Sequence, residues 1–333
     1  MLALAVTVVL AAGSSDAGRA DGGAADAGRP EGGFDAGWVL SQKLGASTPA
    51  RAKLLEELAM RAPPLQDGGS NGETPLTAAE AAAILDDPRA QPIYAEKTIS
   101  IVAPSMPARH RQEHLDLMKL FLKPERLAAG AKFAEEQKKH LDAAEAHWHV
   151  AREVIIAILM WESKLGTITG EYYAFNVFTS QAYFIDEANA AALNQKEEQA
   201  LLDPKLQKQR VETIRARAHM NLLALLRQCK TRGIDPLGVK GSWAGALGFP
   251  QFMPASLRWA DDGDGDGRID LFTFPDAIAS IGRYLNEHGF SESRQKAVWE
   301  YNHEDAYVQG VLAYADALHE RLHPDAGTPK KKK

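Results

Sequence analysis

A single cysteine, Cys229, occurs among 333 residues, so no intrachain disulfide can form and the fold must stand on packing alone. Its place in a helical pattern, far from the apolar start, also excludes a lipid-attachment cysteine there. Basic excess is missing too. The formal net charge is −6 and the 10 histidines are spread along the chain, so no basic surface points to nucleic acid as a partner. Only Lys330 to Lys333 form a basic run, a short tail over residues 323–333. Long hydrophobic runs are scarce: MLALAVTVVLAA falls short of the about 20 residues a membrane-spanning helix needs, so no transmembrane anchor is expected. Strand-period alternation is lacking throughout, which excludes a sheet-based architecture.

The apolar start, with Ala11, Ala12 and Gly13 after it, instead reads as a signal-peptide core over residues 1–13, although a positively charged leading segment is missing. A periplasmic or secreted protein is the expectation. Residues 14–37 hold little but Gly, Ala, Asp and Arg, too few apolar groups to offset the entropy of ordering them, and read as a flexible linker. Residues 38–106 form an N-terminal helical segment of open role, where ARAKLLEELAMRA has helical spacing and Thr77 with Glu80 makes a capping box before a short helix that Pro88 closes. Residues 107–322 read as one helical domain. Its helices run through HLDLMKLFL, PERLAAGAKFAEEQKKHLDAAEAHWHV and VETIRARAHMNLLALLRQCKTRG, the last stopped by Gly233. Asp276 opens DAIASIGRYLNEH, Gly289 follows it, and AYVQGVLAYADALHERL closes the domain. The fold class is predominantly all-α.

Three segments carry chemistry. In VIIAILMWESKLG, eight apolar residues end in Glu162; a helix apolar on every side is buried, so Glu162 lies where that helix surfaces. Burial beside Trp161 and the negative end of the helix dipole both raise a carboxyl pKa, as a general acid requires. From this segment alone, an exposed last-turn residue paired with Lys164 fits equally well. The second segment, GSWAGALGFPQFMPAS (241–256), has neither period. Its glycines let backbone approach a ligand, Trp243, Phe249 and Phe252 offer rings for sugar faces, and Ser242 and Gln251 offer hydrogen bonds to hydroxyl or acetamido groups. The third is the pair Tyr301-Asn302, which taken by itself reads sooner as a plain helix entry than as a site.

Together, in order and spacing, these segments resemble the lytic murein transglycosylases of the B type, relatives of the soluble lytic transglycosylase and goose-type lysozyme superfamily. The resemblance runs from about residue 107 to 318. It implies a lysozyme-like lytic transglycosylase domain with additional N-terminal helices, and Glu162 as a single catalytic acid and base. Ser242, Trp243, Gln251, Phe252, Tyr301 and Asn302 fall on substrate contacts, and peptidoglycan glycan strands on the partner. The implied reaction cleaves the MurNAc-GlcNAc bond with closure to a 1,6-anhydromuramoyl end and needs no cofactor. A lysozyme-like hydrolase using the same Glu, or an inactive peptidoglycan-binding protein, are the rival readings. EYYAFNVFTSQAYFIDEAN follows the family's segment after the catalytic helix only loosely and lacks its basic residues.

DGDGDGRIDLFTFPDA places Asp262, Asp264 and Asp266 at alternate positions, Gly267 at the sharp turn and Arg268 at the position that supplies a backbone carbonyl, the opening of an EF-hand-type calcium loop. Thr273 stands at the twelfth position instead of Glu, which by itself favours an empty turn. The resemblance implies a longer loop closed by Asp276, and with it a structural calcium.

Overall fold

The computed structural model describes residues 38–62, 72–92, 94–102, 119–194 and 203–324. The signal segment, the linker, the basic tail, the 106/107 boundary and most of HLDLMKLFL lie outside the described residues. Four helices come first: α1 (Leu40–Leu44), α2 (Pro49–Ala59), α3 (Ala78–Leu85) and α4 (Ala95–Val102). After them come α5 (Pro124–Glu136), α6 (Lys138–Trp148), α7 (Arg152–Ser163), α8 (Ala174–Tyr183), α9 (Ile185–Leu193) and the long α10 (Pro204–Arg232). The chain closes with a 3-10 turn (Pro254–Trp259), α11 (Phe274–Glu287), α12 (Arg294–Tyr301) and α13 (Asp305–Leu322). Two two-residue strands, β1 (Tyr172–Tyr173) and β2 (Lys240–Gly241), pair antiparallel with Tyr172 opposite Gly241.

Local chemistry sets the helix ends. Thr77 accepts from the Glu80 backbone while the Glu80 carboxylate takes the Thr77 N–H, so both halves of the capping box form. Asp203 caps α10 by accepting from Lys205 and Leu206, and Gly233 ends it in the left-handed conformation that glycine adopts without strain. Asp276 does not open α11. The helix starts two residues earlier, after Thr273, because Pro275 has no N–H to lose in a first turn. PERLAAGAKFAEEQKKHLDAAEAHWHV is likewise two helices, broken at Gln137, and each half follows its own neighbour: α5 lies on α7 and α13, α6 on α11.

Three apolar clusters form the core. One joins Leu44, Leu54 and Leu58 of the first helices to Phe175 and Phe178 of α8, Leu222 and Leu225 of α10 and, from the loops, Leu247 and Phe252. The N-terminal helices therefore share a core with the later ones, and Cys229 lies inside it, 4% exposed. The second cluster surrounds α7 with α5, α6, α11 and α13. A third, smaller one joins α4, α9 and α10. Helix α7 is buried at nine of its twelve residues, the all-round burial that its unbroken apolar run demands.

Gly310 lets α13 press directly on α7, for a Cβ there would stand 2.3 Å from the Trp161 ring. Gly310→Ala is expected to cost about 1–3 kcal/mol by overpacking. Thermal denaturation measures it; an unchanged midpoint would show that Trp161 yields freely.

Candidate active site

Helix α7 delivers Glu162 one residue before its end. Immediately after it, Lys164, Leu165 and Gly166 all take positive φ, at 49°, 55° and 80°. Two consecutive non-glycine residues in that region cost about 1–2 kcal/mol each, so the exit is held by its surroundings. Ser163 does part of the holding: its buried hydroxyl donates to Leu159 O at 3.2 Å and accepts from Gly166 N at 3.0 Å. Lys164 forms no ion pair with Glu162 among the described residues, which removes the exposed-pair reading.

Glu162 is half-buried as a residue, and its carboxyl is enclosed. Burial pushes its pKa up to about 7, and the Tyr307 hydroxyl pulls weakly the other way. That hydroxyl is fully buried and meets no other partner at ordinary hydrogen-bond geometry among the described residues. No other group shifts Glu162, and no second carboxylate acts on it among the described residues. Tyr301 and Tyr307 stand beside it as near-parallel rings 6.4 Å apart, and the Glu162 charge helps burial hold both phenols well above their usual pKa. Trp161 packs edge-on to Tyr307 and stacks on Phe121. Glu304, at the start of α13, is a second carboxyl raised to about 7, by burial first and repulsion from Asp305 second.

The 241–256 loop reaches this site through Tyr301, whose hydroxyl donates to Pro250 O at 2.6 Å. Tyr301 packs against the α7 cluster and the N-terminal cluster alike, so it stands at their seam. The loop is built on close backbone approach. A Cβ on Gly245 would lie 2.3 Å from Phe178, and one on Gly248 2.4 Å from Leu271. Leu247 and Phe252 pair through two backbone hydrogen bonds of 2.8 and 3.0 Å, closing a tight turn in which Gln251 takes φ 52°. Its amide donates to Gly248 O at 2.8 Å and to Thr169 O at 3.4 Å, stitching the loop to the α7 exit.

The other sequence-predicted contacts divide. Ser242 is 9% exposed and its hydroxyl accepts from Ala246 N at 3.0 Å, so it braces the loop while keeping a proton to donate. Asn302 caps α12 beside Tyr301, half-buried. Trp243 lays one face on the α4–α9 cluster and leaves only the remainder for a ligand. Phe252 is a correction: at 2% exposure, tilted against Tyr284 and Tyr301, it supports the loop from below and offers no open face. Phe249 is the half-exposed ring of the turn, beside Gly166 and Phe274. Tyr307 was missed; its place in an amphipathic helix reads as ordinary core.

Asp262, Asp264 and Asp266 bring one carboxylate oxygen each within 4.8 Å of one another. Asp262 accepts from Gly265, Asp266 and Gly267 N–H groups, which offset the crowding of like charges. Asp276 stands outside that group. Only 3% exposed in the first turn of α11, it accepts from Gly263 N at 2.9 Å and Asp270 N at 2.7 Å, clamping both ends of the loop. A wide cavity lies elsewhere, between the end of α10 and residues 257–272, lined by Cys229, Arg232, Arg258 and Arg283; Glu162 does not line it.

Fold and site together define a helical, lysozyme-like domain with the Glu162 carboxyl raised to about 7 by burial at a seam between two cores. Comparison with known families is consistent: residues 76–305 match the Transglycosylase SLT domain family, and the chain belongs to it. Membrane-bound lytic murein transglycosylase B of Escherichia coli (strain K12) is 29% identical over 210 residues, 60% of this chain and 48% of that protein. The chain thus spans about half the length of the curated relative it matches. Among solved structures, catenated lytic transglycosylase SltB1 from Pseudomonas aeruginosa superposes with TM-score 0.58 at 19% identity, over 83% of this chain and 98% of that one. Escherichia coli lytic transglycosylase SLT35 in complex with calcium gives 0.51 at 18%, over 72% and 95%. No helix of the described residues is long and apolar enough to cross a membrane.

The raised Glu162 pKa has a stability consequence. Between pH 4.5, its ordinary value, and about 7, the unfolded chain has released this proton while the folded protein retains it, so Glu162 costs stability progressively as pH rises. Glu162→Gln should therefore match the wild type below pH 4.5 and exceed it at pH 8, by at most about 3 kcal/mol. Denaturant unfolding at the two pH values measures the difference; an equal or lower stability for the variant at pH 8 would contradict the burial described.

Proposed function

We propose that this protein is an exported lytic transglycosylase of peptidoglycan that uses Glu162 as its single catalytic acid and base. The observation that carries the reading is the Glu162 carboxyl: raised to about 7 by burial, and with no second carboxylate acting on it among the described residues. A hydrolase working through two carboxylates needs a partner at roughly 5–10 Å. The chemistry of a lone acid differs. Protonated Glu162 gives its proton to the oxygen leaving between N-acetylmuramic acid and N-acetylglucosamine. The resulting carboxylate then takes the proton of the muramoyl C6 hydroxyl, whose oxygen closes on C1. The bond to the leaving sugar breaks, the C6–O–C1 bond forms, and Glu162 ends protonated without consuming water. The substrate's own acetamido group stabilises positive charge at C1 in place of a carboxylate.

Around this step, Tyr307 orients the Glu162 carboxyl from beneath. The Ser242 hydroxyl and the Gln251 and Asn302 amides face sugar or acetamido groups, Tyr301 forms the cleft wall, and part of the Trp243 ring meets the glycan. Membership of the transglycosylase family supports the substrate class. We further infer that Asp262, Asp264 and Asp266, with the Arg268 carbonyl, hold a calcium ion. Three converging carboxylates fit a hard cation, and the similar fold of SLT35 was solved in complex with calcium. Its role would be to stiffen the loop between the 3-10 turn and α11.

Digestion of purified peptidoglycan followed by mass spectrometry tests the reaction. Anhydro ends are expected from the wild type and a loss of at least about 10³-fold in rate for Glu162→Gln. Reducing ends would establish the hydrolase instead, and binding without cleavage by both forms would establish a wall-binding protein. Because the resting acid must be protonated, kcat/KM should fall above pH about 7. The Tyr307 contact lowers the Glu162 pKa, so in Tyr307→Phe that limb should move to higher pH; a shift to lower pH would reverse the assigned contact.

A further inference from the structure

The opposite end of α7 holds another carboxyl. Glu153 lies nine residues before Glu162, about 13 Å along the helix axis. Its side chain is 8% exposed, and no Lys or Arg pairs with it among the described residues. Its partners are two imidazoles at the C-terminal end of α13, His319 in the last turn and His323 at the cap. His319 Nδ1 lies 2.9 Å and His323 Nε2 3.6 Å from the same carboxylate oxygen. The two histidines are four residues apart, the spacing that stacks side chains on one helix face, and His323 N donating to His319 O at 2.9 Å keeps that register through the cap. The rings lie 4.5 Å apart and both are half-exposed, at 58% and 50%.

From this arrangement we propose that Glu153, His319 and His323 form a binding site for a divalent transition metal of the zinc class. Each residue contributes one ligand atom, and these atoms all lie within 4.8 Å of one another. Ligands bonded at about 2.1 Å to a tetrahedral ion stand about 3.4 Å apart, and the observed 2.9 and 3.6 Å bracket that spacing. Two imidazole nitrogens and a carboxylate suit zinc, nickel or copper, whereas calcium and magnesium favour oxygen alone, as in the aspartate loop. The fourth position faces solvent between the exposed rings and takes water. The carbonyl-rich end of α13 adds favourable potential for a cation. The ion ties the first turn of α7 to the C-terminal end of α13, the two helices that carry Glu162 and Tyr307.

The test uses the untagged full chain, saturated with calcium so that the aspartate loop does not compete, and titrated with zinc by calorimetry. One saturable site per chain is expected, with a rise of a few degrees in thermal midpoint at zinc about 100-fold above its Kd. His323→Ala should weaken binding by at least about 100-fold, the upper end of what loss of a mere outer-shell partner costs. His319→Ala/His323→Ala should abolish it. Both rings being half-exposed, the double variant keeps its fold, which its metal-free thermal midpoint verifies, and visible absorption of bound cobalt should be lost in parallel. Absence of saturable zinc binding by the wild type, or undiminished binding by the double variant, overturns the site.

Discussion

The whole arrangement depends on keeping one carboxyl group short of water. Glu162 is raised by burial, and burial is possible only because α7 enters the core with apolar side chains on every face and stays buried from Glu153 through Met160. A domain whose net stability is about 5–15 kcal/mol carries such a group at a noticeable cost above neutral pH, so the packing around α7 must over-determine its position. Trp161, wedged between Phe121, Tyr307 and the Cβ-less Gly310, is how it does so. The two left-handed residues after the helix add strain at the same place, a recurrent pattern where a side chain is held for chemistry.

Glu162 and the 241–256 loop come together where two cores meet without merging. The α7 cluster supplies the acid, the N-terminal cluster supplies the floor of the 241–256 loop, and Tyr301 touches both. Its hydroxyl on Pro250 O and the Gln251 amide on Thr169 O are the stitches across the seam. The loop's polar side chains are largely occupied with loop geometry, Ser242 on Ala246 and Gln251 on Gly248. Under the proposed function, a ligand would meet groups already fixed in place, which lowers the ordering cost of binding.

How much of this was legible follows from what each residue's neighbours in sequence reveal. The eight-residue apolar run marked where a buried helix surfaces at Glu162, and glycines at 241, 245 and 248 marked an irregular loop, but an exposed last-turn Glu162 fitted that segment equally well and only the family resemblance set the two readings apart. Helix caps at Thr77 and Gly233 are local and read directly. Tyr307 was illegible, since a buried tyrosine five residues beyond Asn302 differs from core only through the carboxyl it meets across the fold. Phe252 erred the other way: a ring in a glycine-rich loop looks open until Tyr284 and Tyr301 close over it. The break at Gln137 and the placement of Asp276 were decided by tertiary neighbours and by Pro275, against a periodicity that runs on unbroken.

The two carboxyls of α7 show how position along one helix divides chemical labour. Glu153 sits in the first turn, where unpaired N–H groups favour negative charge, and it faces nitrogen bases able to share a proton or a cation. Glu162 sits in the last turn, where carbonyls oppose negative charge, and it faces a phenol whose hydroxyl offsets the effect of burial only in part. Residue type is the same at both ends; place along the helix and the groups each side chain meets are what differ. A carboxyl meant to keep its proton belongs at the C-terminal end of a buried helix with only hydroxyls for company, and α7 places Glu162 there.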